Sequence, residues 1–391
     1  MTTTRRTFLL SSAAVAATAL PARAALETIN LACIGTGGRC RHLMKSLVMM
    51  KNVRIVALGD VWDVSLAEAQ KLAPKAETFK DYRKAIEMKG VDAVLIGSPD
   101  HWHVPMMVDA LKADRHVYVE KPLTHSPDET TAARKVVADK KKLKVQVGMQ
   151  QRSMPHLIEA KKLVEEKKLG DVFKVRMSWN RNSDRIRRFK LGVDPKSVDW
   201  KGFLGNAKDQ PFDEYRFRNW RWFWDFGGGI FTDLMVHWID VAHWVLNKTD
   251  VKSAVSIGHH FVSQGVWETP DTVQTLLSYD GGVQMHFEGT FSNARAGAMI
   301  EFMGTEGSLY CDRGRYEFTP ETRSKSKSSE LILGTGPRGR DFYDKPDGEA
   351  VHLDNWLTAI REDKATTADV EAGITSAQAA HEANKALRIK S

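Results

Sequence analysis

Short apolar runs alternate with amphipathic stretches through the first third of the chain. The runs have the character of buried strands and lie at 29–34, 53–58, 93–96, 116–119 and 144–147. The stretches between them have the apolar spacing of helices and lie near 39–50, 65–73, 81–88, 103–112 and 127–141. This alternation predicts a doubly wound parallel sheet, covered by helices on both faces, that binds ligands beyond the carboxyl ends of its strands.

The pattern changes near Gly148, where predicted strands begin to follow one another directly. After a predicted helix at 153–168, strand-like alternation occurs at 172–179, 253–261, 271–279, 282–291, 298–303 and 307–311. Asp280-Gly281-Gly282 separates two of these runs and is a hairpin signal. Two helical stretches, 352–361 and 371–387, follow and are expected to pack back on the fold. We therefore predict a first domain at 25–147 and a second at 148–391, α+β, with an open, mostly antiparallel sheet.

The first 24 residues have the features of an export signal. Arg5-Arg6-Thr7-Phe8-Leu9-Leu10 is a twin-arginine signature, a small apolar run follows at 11–20, and Ala22-Arg23-Ala24 suits signal peptidase. The apolar run is short for a bilayer span, which favours a cleaved signal over an uncleaved membrane anchor. We therefore expect a periplasmic or otherwise exported protein. The twin-arginine route carries folded proteins, often with a cofactor already bound.

Composition excludes several classes of function. Loss of the signal removes three arginines and no acid, so the formal charge falls from +8 to +5, spread along the chain. That charge is too small and too dispersed to indicate a nucleic-acid partner. No later apolar run is long enough for a membrane span. Three cysteines, Cys33, Cys40 and Cys311, form no disulfide framework.

A glycine-rich turn follows the first predicted strand and opens the first predicted helix. In Gly35-Thr36-Gly37-Gly38-Arg39-Cys40, glycines permit a tight turn and let a pyrophosphate reach backbone N–H groups at the helix N-terminus. The usual third glycine is replaced by Cys40, which a looser contact between helix and strand would accommodate. The candidate cofactor-binding residues here are Gly35, Thr36, Gly37, Gly38 and Arg39.

Asp60 ends the second predicted strand, about 25 residues after Gly35. A carboxylate at that position can bind the hydroxyls of an adenosine ribose. Its neighbours Val61, Trp62 and Asp63 supply no cation for a ribose phosphate. We therefore favour NAD over NADP as the cofactor.

Two polar loops follow the third and fourth predicted strands and should face the same crevice. They are Ser98-Pro99-Asp100-His101-Trp102-His103 and Glu120-Lys121-Pro122. Lys121 could hydrogen-bond or polarise a substrate hydroxyl, although a surface lysine on a turn is the plainer alternative. A metal site is not predicted, because the His101-x-His103 pair has no third ligand at a useful spacing.

A triple glycine at 227–229 precedes a helix that carries three polar residues. Asp233, His237 and Asp240 are spaced i, i+4 and i+7, so the spacing predicts that all three point the same way. A carboxylate one turn from an imidazole can fix its tautomer and raise its basicity, as a proton acceptor requires. The alternative is a buried helix whose polar residues only satisfy one another.

The segment 180–226 combines cations with aromatic residues. A basic cluster is formed by Arg181, Arg185, Arg187, Arg188 and Lys190, and an aromatic run with interleaved arginines extends from Tyr215 to Phe226. Nucleic-acid binding is disfavoured in an exported protein with a dinucleotide turn. We predict a wall on which rings stack against sugar faces and arginines hold hydroxyls or carboxylates, with packing of the domain junction as the alternative. The candidate substrate-binding residues are Arg181, Arg218, Trp220 and Trp222.

Four motifs, in their order along the chain, resemble those of the Gfo/Idh/MocA oxidoreductases. They are the glycine turn, the Ser98-Pro99-Asp100 loop ending at His103, Glu120-Lys121-Pro122, and the helix with Asp233, His237 and Asp240. The resemblance covers nearly all of the mature chain. It implies a Rossmann domain followed by a substrate-binding domain, with Lys121 as the catalytic lysine and Asp233 and His237 on the substrate side. It also implies that the cofactor is lined by the glycine turn and by Ser98, Pro99, Asp100, His103, Glu120 and Lys121. Departures from the family pattern are Cys40 for glycine, Asp100 for asparagine and Met235 for glycine.

Three functional hypotheses follow. The first is an exported NAD-dependent oxidoreductase of a sugar or polyol with a tightly held nucleotide, in which His237, held by Asp233, accepts the hydroxyl proton and Lys121 polarises the oxygen. The second is a glycosidase that oxidises its sugar transiently, eliminates the leaving group and adds water. The third is a non-catalytic binding module for a sugar or nucleotide. The free face of the second sheet also leads us to expect a homo-oligomer.

Overall fold

The computed structural model describes residues 28–182, 191–325, 329–333, 338 and 348–389. The predicted export signal lies outside these residues, as do Arg185, Arg187, Arg188 and Lys190 of the basic cluster. No helix in these ranges combines the length and the apolar composition needed to cross a membrane.

The first domain contains six parallel strands in the order β3-β2-β1-β4-β5-β6. They are β1 (Ile29–Ile34), β2 (Val53–Gly59), β3 (Glu77–Phe79), β4 (Ala93–Ile96), β5 (His116–Val119) and β6 (Val145–Val147). The predicted doubly wound sheet is thus confirmed. Strand order reverses between β1 and β4, which opens a crevice at the carboxyl ends of the strands.

Five helices cover this sheet: α1 (Gly38–Leu47), α2 (Asp63–Gln70), α3 (Tyr82–Glu87), α4 (His103–Lys112) and α5 (Glu129–Asp139). Helix α1 begins directly after the glycine turn and buries Cys40, Leu43, Met44 and Leu47. This apolar face anchors the helix, so that its N-terminus is presented to the crevice.

The second domain contains an eight-stranded sheet in the order β14-β13-β12-β11-β7-β10-β9-β8. Its strands are β7 (Val172–Asn180), β8 (Val251–His259), β9 (Thr272–Tyr279), β10 (Gln284–Thr290), β11 (Ala298–Gly304), β12 (Gly307–Asp312), β13 (Tyr316–Pro320) and β14 (Leu331–Leu333). Strands β7 and β10 are parallel, and the other neighbours are antiparallel. The predicted mostly antiparallel sheet is confirmed, and the Asp280-Gly281-Gly282 turn joins β9 to β10 with positive φ at Gly281 and Gly282.

The helices that follow in the described chain are α6 (Pro155–Glu165), α7 (Trp200–Leu204), α8 (Glu214–Arg218), α9 (Val236–Leu246), α10 (Gly348–Glu362) and α11 (Val370–Arg388). Helices α6, α9 and α11 pack against strands of the second sheet, and α10 packs against α1 of the first domain. Leu353, Trp356 and Leu357 of α10 join the same core cluster as Leu43 of α1 and Tyr118 of β5. The C-terminal segment is therefore part of the core of the first domain.

The outer face of the second sheet stays apolar and exposed at its β8 edge. Val255 and Ile257 on β8 are each 55% exposed, and Leu276 on β9 is 43% exposed. Val255 and Leu276 are directly paired across the two strands. Exposed apolar side chains grouped in this way mark a surface that another protein can cover.

The helix after the triple glycine contains a π-helical turn at Phe231–Met235 and continues as α9. A π-turn takes more residues per turn than an α-helix, so it shifts the phase of the residues that follow. Asp240, in α9, does not share the direction predicted for it. Its carboxylate accepts bonds from Arg152 Nη2 at 2.7 Å and Nε at 2.9 Å, which ties α9 to the turn after β6.

Candidate active site

A cavity of about 1140 Å³ lies between the two domains. It extends from the crevice beside β1 and β4 to the helix that carries Asp233 and His237. All but one of the predicted site residues line it, namely Gly35, Gly37, Gly38, Arg39, Asp60, Ser98, Pro99, Asp100, His103, Glu120, Lys121, Arg181, Arg218, Trp220, Trp222, Asp233 and His237. The exception is Thr36, whose buried hydroxyl donates to Asp60 at 3.2 Å.

The glycine turn leaves open space at the N-terminus of α1. A Cβ built on Gly37 or Gly38 would meet no atom within 4 Å. Gly35 has φ +68°, and a Cβ there would lie 2.4 Å from the Ser98 nitrogen, so only glycine fits. This open cradle of backbone N–H groups fits a dinucleotide pyrophosphate.

Cys40 occupies the place of the usual third glycine without loosening the fold. A Cβ built on Gly97, just after β4, would lie 2.9 Å from the Cys40 Cβ. The side chain at position 40 therefore packs into the space left by a glycine at position 97. The helix and sheet stay in close contact, which differs from the looser contact expected from the sequence.

Asp60 lies beside two cations that come from distant parts of the chain. Arg41 Nη1 donates to the Thr36 carbonyl at 2.7 Å, and Arg218 stacks on Trp62 with its Cζ 4.7 Å from the ring centroid. The pKa of Arg218 is lowered first by burial and then by the charge of Arg41, while Asp60 opposes this shift. Arg218, predicted to bind substrate, thus lies at the Asp60 end of the cavity.

From this arrangement we predict that Asp60 selects against a ribose phosphate. We expect Asp60→Ser to tighten NADP binding by about tenfold or more and to weaken NAD binding, because Arg41 and Arg218 would then face the added phosphate with no competing carboxylate. Titration of nucleotide-stripped protein with both cofactors measures the change. The double variant Asp60→Ser/Arg218→Met should lose the gain. Unchanged NADP affinity in the single variant would contradict this role.

His103 joins the two polar loops of the crevice. Its Nδ1 lies 2.6 Å from the Pro122 carbonyl and its Nε2 2.9 Å from the Ser98 carbonyl. Burial lowers its pKa to about 4, so the imidazole is neutral and donates to one of the two carbonyls. The contact fixes the backbone next to Lys121.

His101 makes packing and backbone contacts. Its Nε2 lies 2.9 Å from the Phe203 carbonyl, its ring packs on Phe226, and burial lowers its pKa to about 3. Throughout the described part of the chain, no group of three His, Cys, Asp or Glu side chains could hold a metal ion.

Asp233 binds Lys121 instead of His237. Lys121 Nζ donates to Asp233 Oδ1 at 3.0 Å and to the Asp233 carbonyl at 2.6 Å, and Arg221 Nε donates to the same Oδ1 at 3.0 Å. The structure contains no hydrogen bond between Asp233 and His237, in contrast to the sequence expectation. Asp233 and His237 both line the cavity, but the Asp233 carboxylate is engaged by Lys121 and Arg221. Its carboxylate thus positions the lysine.

His237 lines the cavity as a neutral imidazole. Its ring lies 5.1 Å from the Trp179 ring, and its buried Nδ1 has no hydrogen-bond partner. Burial lowers its pKa well below the usual value, and the positive charges of Lys121 and Arg313 lower it further. An imidazole in this state can accept a proton.

Arg39 and Glu120 are held in an ion-pair network. Arg39 Nε lies 2.7 Å from Glu120 Oε1, and its Nη1 lies 2.7 Å from Glu349 Oε1 at the start of α10. Arg39 and Glu120 therefore contribute to the cavity wall as an ion pair, and Arg39 also connects this wall to α10 through Glu349.

The predicted aromatic wall divides into two parts. Trp222 is 1% exposed and stacks on Trp267 with centroids 4.3 Å apart, so most of it belongs to the core. Trp220 lies under Arg221, whose Cζ is 4.2 Å from its ring centroid, at the cavity. The packing alternative therefore applies to Trp222, whereas substrate binding by Trp220 stays a prediction.

Sequence reasoning missed Trp179, Arg221, Arg313 and Glu349, which also line the cavity. Trp179 lies in the strand β7, Arg313 in the turn after β12, and Glu349 in the first turn of α10. These positions carry no local motif, and only the tertiary fold brings them together. Arg221 was part of the aromatic run and could have been singled out as the arginine nearest the triple glycine.

Two family models match the chain. A model described as an oxidoreductase family with an NAD-binding Rossmann fold matches residues 29–149, and a model of the GFO/IDH/MocA C-terminal domain matches residues 157–310. Together they cover both domains that contribute to the cavity.

Individual proteins are similar over different lengths. The scyllo-inositol 2-dehydrogenase (NAD(+)) of Bacillus subtilis is 24% identical over 353 residues, which is 88% of this chain and 90% of that protein. A glycosyl hydrolase family 109 protein of Stenotrophomonas maltophilia is 37% identical over 124 residues, 28% of this chain and 27% of that protein. The structure of levoglucosan dehydrogenase with NADH and levoglucosan has a TM-score of 0.72 at 19% identity and covers 93% of this chain and 98% of that chain.

Proposed function

The chain belongs to the Gfo/Idh/MocA family and is an NAD-dependent oxidoreductase of the sugar or polyol dehydrogenase type, and from this premise we propose a specific role for its active site. The protein is exported and acts on a secondary hydroxyl of a carbohydrate, with its nucleotide tightly held. Lys121 and His237 would be its reacting side chains. The observation that carries this proposal is that Lys121, fixed on Asp233, and neutral His237 line the same cavity as the open glycine turn.

Each side chain has a distinct task. His237 takes the proton of the substrate hydroxyl, because its imidazole is neutral and lines the cavity. The Lys121 ammonium stabilises the negative charge that grows on the same oxygen. Asp233 holds that ammonium in place, and Arg221 donates to the same carboxylate oxygen. Bound NAD supplies the acceptor for the hydride that leaves the carbon, so the hydroxyl loses one proton and one hydride and becomes a carbonyl.

The route of export supports a nucleotide that stays bound between turnovers. The twin-arginine signature at Arg5-Arg6 indicates that the chain folds before it is moved, and an exported enzyme has little free NAD at its disposal. Oxidation of one sugar would then be followed by reduction of another.

Denaturing the purified mature protein and assaying the supernatant for dinucleotide tests this proposal. We expect about one nucleotide per chain, with nicotinamide absorbance changing when sugars are added to the native protein. A native protein that releases no nucleotide and fails to bind added NAD or NADP would overturn the proposal.

A glycosidase remains the second candidate, because a glycosyl hydrolase family 109 protein matches 124 residues at 37% identity. The same proton acceptor and ammonium would serve a sugar that is oxidised, loses its leaving group, takes up water and is then reduced by the same nucleotide. Chromogenic glycosides separate the two candidates. Released aglycone without net reduction of the nucleotide would establish hydrolysis, whereas net reduction by free sugars would establish dehydrogenation.

We also propose a homo-oligomer that covers the exposed edge around Val255, Ile257 and Leu276. The double variant Val255→Lys/Leu276→Lys places two charges on directly paired strands, and we expect it to dissociate the assembly. Light scattering after gel filtration measures the mass. Met49→Lys is the matched control, because Met49 is also exposed but lies on the first domain. A monomeric wild-type protein, or a control that dissociates equally, would contradict this interface.

A further inference from the structure

A short segment of the second domain, residues 197–205, is attached to the first domain at two points, and we call this segment the strap. It contains α7. One attachment is to the loop after β2 and the other is to the loop after β4. Because β2 and β4 are the two neighbours of β1, the strap spans the crevice at the end of β1, where the glycine turn lies.

The first attachment is made directly after the carboxylate predicted to bind the adenosine ribose. Val198 pairs with Trp62 in an antiparallel bridge. The Asp199 backbone N–H donates to the Val61 carbonyl at 2.8 Å. Trp62 Nε1 also donates to the Ser197 hydroxyl at 3.1 Å. Backbone and side-chain bonds together therefore hold the strap at the adenosine end of the cavity.

The second attachment is made to the loop after β4 through a single carbonyl. The Phe203 carbonyl accepts from Trp102 Nε1 at 2.8 Å, and His101 Nε2 lies 2.9 Å from the same oxygen. Gly205 has φ +59°, and a Cβ built on it would clash with the Trp102 ring. The strap can therefore come this close to the loop only with glycine at position 205.

The middle of the strap faces the predicted nucleotide site. Asp199, Lys201 and Gly202 line the cavity, as do Asp60 and the glycine turn. The strap and the predicted dinucleotide site therefore border one space, and the strap extends between the two loops that flank the glycine turn. A dinucleotide held at the glycine turn and at Asp60 would occupy that space.

An aromatic cluster fixes the strap within its own domain. The Phe203 ring centroid lies 5.0 Å from those of Trp200 and Phe217. It lies 5.1 Å from the centroid of Phe226, which directly precedes the triple glycine. The strap is thus held on one side by its own domain and on the other by the first domain. Both attachments to the first domain must break before it leaves the crevice.

We infer that the strap retains the bound dinucleotide, so that NAD leaves only after the attachments to the loops following β2 and β4 have broken. This inference rests on the proposed function and gives the tight hold on the nucleotide a structural cause. Release of a bound molecule is often limited by opening of the segment that covers it. The attachments join two parts of one chain, so they slow entry as well as release.

The rate of nucleotide exchange tests the inference. Protein purified with its nucleotide is mixed with excess isotope-labelled NAD, and mass spectrometry follows the label that becomes bound. Gly205→Ala should speed exchange by about tenfold, because the added methyl group pushes the strap away from Trp102 and weakens one attachment. Association with nucleotide-stripped protein should also become faster, so the dissociation constant should change less than either rate.

Gly170→Ala is the matched control for this variant. Gly170 also has a positive φ, +69°, and a Cβ there would clash with Thr305 Oγ1, but it lies outside the cavity. The control should lose stability in a thermal melt and keep the wild-type exchange rate.

A reversible covalent lock tests the first attachment. Paired residues of an antiparallel bridge have Cα atoms about 4.5–5.5 Å apart, a distance that a disulfide spans. In Trp62→Cys/Val198→Cys, oxidation with glutathione disulfide should slow NAD exchange by about tenfold or more relative to the same protein reduced with dithiothreitol. Comparing two forms of one protein removes the effect of the substitutions themselves. The three native cysteines are all buried.

The outcomes separate the strap from the function on which it rests. Equal exchange in the wild type and Gly205→Ala, or in the oxidised and reduced double variant, would overturn the strap inference even where NAD is bound and reduced. If Gly205→Ala does not fold, the lock decides alone. A double variant that forms no disulfide would contradict the first attachment. Faster release with unchanged association would mark a direct ligand contact and also overturn the inference. Protein that neither contains nor binds NAD would overturn the proposed function itself.

Discussion

Replacing Lys121 with methionine is expected to lower kcat by about 10²–10³-fold while NAD stays bound. The Lys121 ammonium is a preorganised donor, fixed on Asp233 by bonds of 3.0 and 2.6 Å, and removing one such donor costs about this factor. Methionine has a similar length and keeps most of the packing. Asp233 remains paired with Arg221, so its carboxylate is not left without a cation. Rapid mixing with substrate, followed by nicotinamide absorbance, measures the hydride-transfer step directly.

Two further variants define the role of the ammonium. Lys121→Arg keeps a charge at the site and should retain more activity than the methionine variant. Lys144→Met is the control, because Lys144 is also a partly buried lysine in an ion pair, with Asp363, but lies outside the cavity. It should retain near wild-type kcat. A Lys121→Met enzyme that keeps more than roughly a tenth of wild-type kcat would contradict a catalytic role of the size expected for such a donor.

Replacing His237 with asparagine is expected to lower kcat by about 10²–10⁴-fold, the usual range for a positioned proton acceptor. His243→Asn is the matched control on the same helix. His243 is buried and bonds the Tyr279 hydroxyl through Nε2 at 2.7 Å, but it does not line the cavity. We expect that control to lose stability and keep its kcat. Equal losses of kcat in the two variants would show that His237 acts through the structure of the helix alone.

The pH dependence gives the His237 prediction a second measurement. Burial lowers the pKa of His237 in the folded protein below its ordinary value of 6.5, so the imidazole stays neutral as pH falls through 6.5. The acid limb of kcat should therefore lie well below pH 6.5. Below pH 6.5 the unfolded chain binds a proton that the folded protein does not, so this residue makes folding less favourable as pH falls toward the lowered pKa. The asparagine variant should accordingly lose less stability on acidification over roughly pH 5 to 6.5.

Apolar patterning predicted most of the fold because both sheets have strongly apolar buried faces. Residues 29–34, 93–96 and 116–119 match the observed β1, β4 and β5 in both bounds. Strand β3 was not predicted, since Glu77–Phe79 is short and has little buried apolar surface. Strands β13 and β14 also escaped prediction, and β14 is only three residues long.

The positions of the site residues were harder to predict from the sequence than the strands and helices. Asp60 and Lys121 could be placed because the carboxyl ends of parallel strands meet at one edge of a sheet. The partner of Asp233 could not be predicted, because Lys121 reaches it from a loop 112 residues earlier in the chain and no local pattern joins the two. The position of Arg218 near Asp60 could not be predicted, since it depends on the stacking contact with Trp62.

The position of α10 limits how this protein can be recombined with its relatives. Its residues Leu353, Trp356 and Leu357 fill the core around β1 and β5, and its Glu349 binds Arg39 next to the glycine turn. A fragment that stops at residue 147 would expose that core and remove Glu349, one of the two carboxylate partners of Arg39. A chimera that exchanges the nucleotide-binding half must therefore also exchange residues 348–389, so the natural unit of transfer is two separated stretches of the gene.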